Sequence, residues 1–455
     1  MTAPTAPAAP AAPDEGLRRA ISGRMLIVFI VGDILGAGIY ALVGKLSGHV
    51  GGMVWLPLAI GFVVAALTAA SYAELVGKYP RAAGAALYTH RAFNRPFLTF
   101  LVAFAVMMSG VASASAAALA FGGNYLAQFV AAPPMLAALG FLVIVTFVNF
   151  LGISESMKVN LVLTIVEVSG LLIVIVVGIA GIVQGGGEPA RALELEAPSG
   201  AVLGVLGATA LGFYALIGFE DSVNLAEEAQ DPHRTFPVAL FTGIAITGVI
   251  YLVVSIVAVV LVPPATLATS SGPLLEEVTS AGVEFPPRLF ALIALLAIGN
   301  TALINMIMAS RLLYGMANES IVPRAFATVH RGRRTPVVAI GFTVLIAAGL
   351  IATGTVTRLA ETTVLLLLVV FALVNIAVLV LKRRPVEHPH FRTPTWAAVL
   401  GAVTSLVLAS PITGRSSQVY LTAGILVGAG VVLWGINRLV TGKRVTELDA
   451  EKLVK

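Results

Sequence analysis

The sequence predicts an all-α membrane protein of twelve transmembrane helices. Hydrophobic residues make up 58% of its 455 residues and charged residues only 11%, with a mean hydropathy of +0.97, against roughly 25% charged in an average soluble domain. The apolar runs are about 18 to 28 residues long, enough to cross a hydrocarbon core of about 30 Å as helices, whereas barrel strands would be about 10 residues of alternating polarity. The basic residues fall on alternate connections. With the tails and the even-numbered connections on one side, all but five of the 28 basic residues (Lys45, Arg191, Arg288, Arg358 and Arg415) share that side, so both termini are expected to be cytoplasmic.

The elements follow in chain order. Residues 1–24 open with "MTAPTAPAAPAAPDEGLRR", Pro/Ala-rich and without the apolar core of a signal peptide, and read as a disordered cytoplasmic tail. Spans are expected near 25–45, 52–76, 97–129, 135–153, 158–184, 201–229, 237–262, 288–318, 336–353, 358–381, 394–411 and 418–438, separated by turn residues and charges. Residues 439–455 form a basic cytoplasmic tail that could touch anionic lipid.

Two of these spans are interrupted. "GDILGAGIYAL", residues 32–42, carries Asp33 and three glycines inside an apolar run, and "GFYALIGFEDSVNLAEEAQDP", residues 212–232, places Gly218, Glu220 and Asp221 in the sixth span as the first stretch lies in the first. If residues 25–184 (spans 1 to 5) are repeated by residues 201–381 (spans 6 to 10), the odd number inverts the second copy, leaving 394–438 as two further helices. Glycine costs about 1 kcal/mol in a helix interior, and unwound backbone at membrane depth is tolerated only where it lines a protein-enclosed cavity. Matching interruptions in two halves therefore point to a binding site near the membrane midplane. The alternative is that these glycines only allow close helix packing.

At these residues the chain resembles a known family. "GDILGAGIYALVG" is similar to the helix-1 signature of the amino acid-polyamine-organocation superfamily, and "SYAELVGKYPRAAGAALY" resembles its helix-2 to helix-3 connection. "GFYALIGFEDSVNLAEEAQDPHRTFP" resembles its helix-6 block, and "IGNTALINMIMASRLLYGMA" its helix-8 pattern, with Gly299 where alanine is common. Ala83 and Ala86 depart from it, where relatives often carry a glycine and an aromatic. The resemblance implies a five-plus-five inverted repeat with broken helices 1 and 6, two extra helices, and membrane permease activity toward an amino acid or amine.

The local chemistry agrees with that expectation. A break around Gly36, Ala37 and Gly38 leaves backbone N–H groups at the positive end of the following half-helix, suited to a carboxylate. Unwound backbone about Ala215, Ile217 and Gly218 would free carbonyls for an ammonium group. Phe219 resembles a position where an aromatic closes over substrate, or it is a core aromatic. Glu220 at membrane depth costs several kcal/mol as an unpaired anion, so it is expected either to hold a proton or to accept a hydrogen bond across the break. Asp221 is expected to cap the second half-helix, the alternative being to pair with a substrate amine. Glu74, Glu227 and Glu228 are read as pairing with basic loops, Glu167 has no identified partner, and Asn300, Thr301 and Asn305 are read as helix-to-helix contacts or, alternatively, as cavity lining.

Lys158, in "GISESMKVNLVL", resembles the helix-5 lysine of proton-coupled members, whose ammonium group stands in for a sodium ion between helices 1 and 8. On that resemblance Lys158, Asp33 and Glu220 form the proton-coupling set and proton symport is favoured. Its other reading is a lysine snorkelling to the headgroups. Amino acid exchange or polyamine carriage, with Asp33, Glu220 and Asp221 holding extra ammonium groups, is the alternative.

Other classes lack support in the sequence. Zero cysteines exclude disulfides and thiol nucleophiles. The six histidines fall in loops or at helix ends, with no nucleophile and base pair for a hydrolase. "EHPH", residues 387–390, lacks further metal ligands, no phosphate-binding loop appears, and no soluble domain is available to carry a nucleic-acid fold. A sensor built on the same fold lacks an attached signalling domain. No cofactor is implied, and the expected partners are substrate, protons and membrane lipid.

Overall fold

The computed structural model describes residues 21–81, 84–151 and 157–441, without the side chains of 157–161 and 441. Both expected tails, apart from their inner ends, lie outside the described residues, as do Ala83 and the side chain of Lys158.

The chain is an all-helical membrane protein. In order, the helices are α1 (Gly23–Ile34), α2 (Ala37–Val50), α3 (Trp55–Lys78), α4 (Gly84–Phe93), α5 (Pro96–Phe121) and α6 (Asn124–Ala127), then α7 (Pro134–Leu151), α8 (Met157–Val183), α9 (Ala201–Gly212), α10 (Pro232–Leu261), α11 (Pro264–Thr269) and α12 (Pro273–Ser280). They continue with α13 (Pro287–Asn318), α14 (Val337–Thr353), α15 (Val356–Leu381), α16 (Thr395–Ala409) and α17 (Ser417–Thr441). Among the described residues, nine helical segments are long and apolar enough to cross a membrane. The pair α1 and α2, bent by 44° at its break, makes a tenth, and α14 and α16 are shorter apolar helices.

Pattern explains much of this. Large apolar side chains such as Val143 and Phe147 on α7, Val176 on α8 and Leu345 on α14 face outward, which only a hydrocarbon solvent tolerates around a whole protein. Inside, α13 and α15 both pack on α5, while α10 packs on α3 and α1. Small residues let the backbones approach: Gly32 on α1 leaves room for the Thr164 side chain of α8. Ser22 caps α1 and Thr355 caps α15 through their side-chain oxygens.

The short helices α4, α11 and α12 were not legible as apolar runs, being too brief for a span, and the third expected span, 97–129, divides into α5 and the single turn α6. The sixth span also differs from expectation. Regular α-helix stops at Gly212, is followed by a 3₁₀ turn over Phe213–Leu216, and after the break resumes only as a second 3₁₀ turn over Asp221–Leu225. A run carrying Asp221, Ser222 and Asn224 after Gly218 has too little helix propensity to rebuild an α-helix before the Asp231–Pro232 turn.

A buried amide ties α15 to α3. The Asn375 Nδ2 donates to Thr68 Oγ1 (3.2 Å) and to the Phe371 carbonyl (2.8 Å), and its Oδ1 accepts from Ser71 Oγ at 2.7 Å. Asn375→Leu removes all three and strands two hydroxyls on α3. It should lower stability by about 1–2 kcal/mol, read as a lower thermal midpoint of the purified protein, with Ser71→Ala costing less.

Candidate substrate site

The first break begins where the backbone leaves helical angles at Leu35 (φ −74°, ψ 52°), whose N–H still reaches the Val31 carbonyl, and Gly36 turns extended (φ −98°, ψ −155°). The break lies between Ile34 and Ala37, slightly ahead of the Gly36–Gly38 centre read from sequence. Its exposed backbone groups are largely answered by other helices. The Ile34 carbonyl accepts from the Tyr251 hydroxyl of α10 at 2.7 Å and from the Gly36 N–H at 2.8 Å. The Ala37 N–H donates to Thr301 Oγ1 of α13 at 3.0 Å. The next two donors of α2, on Gly38 and Ile39, meet no acceptor among the described residues. This is the positive end of a 14-residue helix.

The second break places Ile217 in extended backbone (ψ 148°) and Gly218 at φ +129°, a conformation only glycine adopts without strain. The Gly218 N–H donates to Glu220 Oε2 at 2.9 Å and its carbonyl accepts from the Asp221 N–H at 3.0 Å. Glu220 therefore bridges the break through a hydrogen bond, one of the two roles expected of it. Asp221 does not cap a half-helix: the N-cap position of the 3₁₀ turn is Glu220, with no side-chain capping bond.

The two breaks lie back to back. A Cβ on Gly38 would stand 2.6 Å from Ala215 Cα, and one on Gly218 would stand 2.6 Å from the Asp33 carbonyl oxygen. Real Cβ atoms do not approach so closely, so each break is glycine where the other's backbone passes.

Together they wall a cavity of about 620 Å³, within the range of small-molecule sites. Of the residues singled out in the sequence, Asp33, Gly36, Ala37, Gly38, Ile217, Gly218 and Glu220 line it. Ala215 does not; it is buried beneath Gly38. Phe219 also faces elsewhere, fully buried against Tyr72 and Phe371 with ring centroids 6.0 and 5.5 Å away. Tyr72 is the member of that cluster on the cavity wall. The position of the Lys158 side chain is outside the described residues.

Carboxylates dominate the wall's charge. Asp33, Glu220, Asp221 and Glu228 line the cavity, joined by Arg311. Asp33 Oδ2 and Glu220 Oε1 are buried without a hydrogen-bond partner among the described residues. Glu167 on α8 finds its partner in Asn300, whose Nδ2 donates to Oε1 at 3.2 Å, while its backbone carbonyl accepts from Tyr40 Oη at 3.0 Å. Glu74 sits away from the cavity, accepting from the Thr393 N–H at 2.8 Å and lying 3.6 Å from the Lys382 ammonium. That is the basic-loop pairing expected of it.

Two wall residues, Ser113 on α5 and Tyr214 before the second break, escaped the sequence reading; Ser113 Oγ lies 3.0 Å from Tyr214 Oη, and Asn300, Thr301 and Asn305 on α13 line the cavity with them. The polar pair Thr301 and Asn305 in an apolar helix was a visible signal, read mainly as helix contact. Ser113 lies in a run of small residues that carries no such signal. "EHPH" is also structural: His388 Nε2 bonds the Gly77 carbonyl at 2.9 Å, and no group of three metal-ligating residues occurs among the described residues.

Comparison with known proteins gives the same direction. Residues 21–433 match the family profile described as amino acid permease. An uncharacterised transporter of Mycobacterium tuberculosis is 30% identical over 96% of this chain and 95% of its own length. The branched-chain amino acid permease of Bacillus subtilis is 25% identical over 84% and 85% of the two chains, and a methylthioribose transporter of the same organism is 26% identical over 84% and 85%.

Thr301 ties α13 to the start of α2. Thr301→Val keeps the shape but leaves the Ala37 N–H unpaired in a buried setting, an expected loss of about 1–3 kcal/mol, whereas Thr301→Ser should stay near the wild-type thermal midpoint.

Proposed function

The chain belongs to the amino acid permease family, and we propose that it is a proton-coupled secondary transporter carrying an amino acid or closely related amine by alternating access. The observation that carries this reading is the pair of breaks that meet at one cavity wall, where Gly38 lines the cavity and the Gly38 and Ile39 N–H groups have no acceptor among the described residues. A substrate α-carboxylate bound there replaces water at the positive helix end, in a site where such dipoles act at low dielectric. The ammonium group lies toward the second break and its neighbouring carboxylates. Counting α14 and α16 as crossings gives twelve spans, and the two interrupted spans then head inverted repeats over 25–184 and 201–381, followed by helices in 394–438. Both termini are cytoplasmic on this reading, and the protein sits in the plasma membrane.

Proton coupling rests on the carboxylate cluster. Asp33, Glu220 and Asp221 line one enclosed wall, and full charge on all three at membrane depth is too costly to hold without substrate or protons. A proton taken up there is released when the cavity changes the side to which it opens. Lys158 is assigned to the same proton-coupling set through its resemblance to the helix-5 lysine of proton-coupled relatives. A second reading is favoured by the same wall: four carboxylates against Arg311 suit a cationic amine, carried by uptake or exchange.

Saturable uptake by the protein in proteoliposomes tests the reading. Wild-type accumulation of a zwitterionic amino acid should follow an imposed pH gradient and ignore a sodium gradient. Gly38→Val should abolish substrate binding, because its side chain overlaps the Ala215 backbone. Glu220→Gln should retain binding and lose the pH dependence. Sodium-driven uptake, or unchanged pH dependence in Glu220→Gln, would contradict proton coupling through this group.

A further inference from the structure

A second groove, of about 440 Å³, lies where the first turns of α1 and α10 meet. The two helix starts are in contact, since a Cβ on Gly23 would reach Thr235 Cγ2 at 3.4 Å. Its walls carry two arginines, Arg24 and Arg234, two hydroxyl residues, Ser22 and Thr235, and the apolar Ile27 and Val238. Arg24 is exposed and pairs with no carboxylate among the described residues. Arg234 has only Asp231, at 3.8 Å with both side chains more than half exposed, a pairing of little strength.

The chemistry is layered along the helix axes. Both arginines belong to the first turns, while Ile27 and Val238 come one turn deeper, where Val238, together with Val28 on α1, exposes apolar surface. A cationic rim above a hydrocarbon wall matches an amphiphile with an anionic head, and does not match a free anion, which would leave the apolar wall unused.

We propose that this groove binds an anionic phospholipid, its phosphate held between Arg24 and Arg234 and its acyl chains lying along Ile27 and Val238. The lipid then clamps α1, the N-terminal half of the broken first span, to α10. This site is separate from the central cavity and does not depend on the transport reading.

The test uses the full chain purified in detergent, titrated with phosphatidylglycerol, phosphatidylcholine and inorganic phosphate, and read by native mass spectrometry and thermal unfolding. Phosphatidylglycerol should bind wild type more tightly than phosphatidylcholine. Loss of each arginine near a membrane surface weakens an anionic lipid about fivefold, so Arg24→Gln with Arg234→Gln should weaken phosphatidylglycerol by roughly 25-fold. Arg331→Gln with Arg333→Gln, exposed in another connection, should change nothing. Asp231→Asn should tighten binding by releasing Arg234, and substitution of both arginines by lysine, which keeps the charge, should fall between wild type and the double glutamine variant. Equal affinity in wild type and the Arg24/Arg234 variant, an equal loss in the Arg331/Arg333 variant, or stabilisation by inorganic phosphate equal to that by phosphatidylglycerol would overturn the proposal.

Discussion

The close approach of two unwound backbones is the constraint on which the rest of the site depends. Gly38 meets Ala215 and Gly218 meets the Asp33 carbonyl at separations that no side chain would allow. Each break must therefore be glycine at the point where the other passes. Their contact turns two separately costly interruptions into one shared wall, enclosed by protein as unwound backbone in a membrane must be.

The remaining polar groups follow from that contact. Lipid offers no hydrogen bonds, so backbone freed by the breaks has to find partners on neighbouring helices. Tyr251 takes the Ile34 carbonyl, Thr301 takes the Ala37 N–H, and Glu220 takes the Gly218 N–H. Among the described residues, what these partners leave over is informative: two N–H groups at the start of α2 and single oxygens of Asp33 and Glu220. Unanswered donors and acceptors thus stand close together where the two breaks meet.

The sequence made the breaks legible because glycines beside acids recur at matching positions of two apolar runs, a coincidence that close helix packing alone does not require. It could not show that the breaks touch, since Gly38 and Ala215 are far apart in the chain and each reads locally as helix weakening. The side on which Phe219 lies was hidden for a related reason: with Gly218 at φ +129° the helical period no longer predicts direction, and the ring turns into the Tyr72 and Phe371 cluster. Thr301 was visible as a polar residue but ambiguous in role, because a hydroxyl that caps a distant helix and one that bridges two helices look alike in sequence. Gly212 to Leu225 read as one helix with a gap, yet 3₁₀ turns replace the second half where acids and an asparagine compete for the backbone.

On the proposed function, the joined breaks are the seat of the substrate. An experimental structure of the protein saturated with an amino acid it transports tests this most directly. The substrate carboxylate should lie within about 3.2 Å of the Gly38 and Ile39 N–H groups, with its ammonium facing Ile217 and Gly218. A ligand seated elsewhere with those N–H groups uncovered, or a first span running as one continuous helix through Gly36, would contradict it.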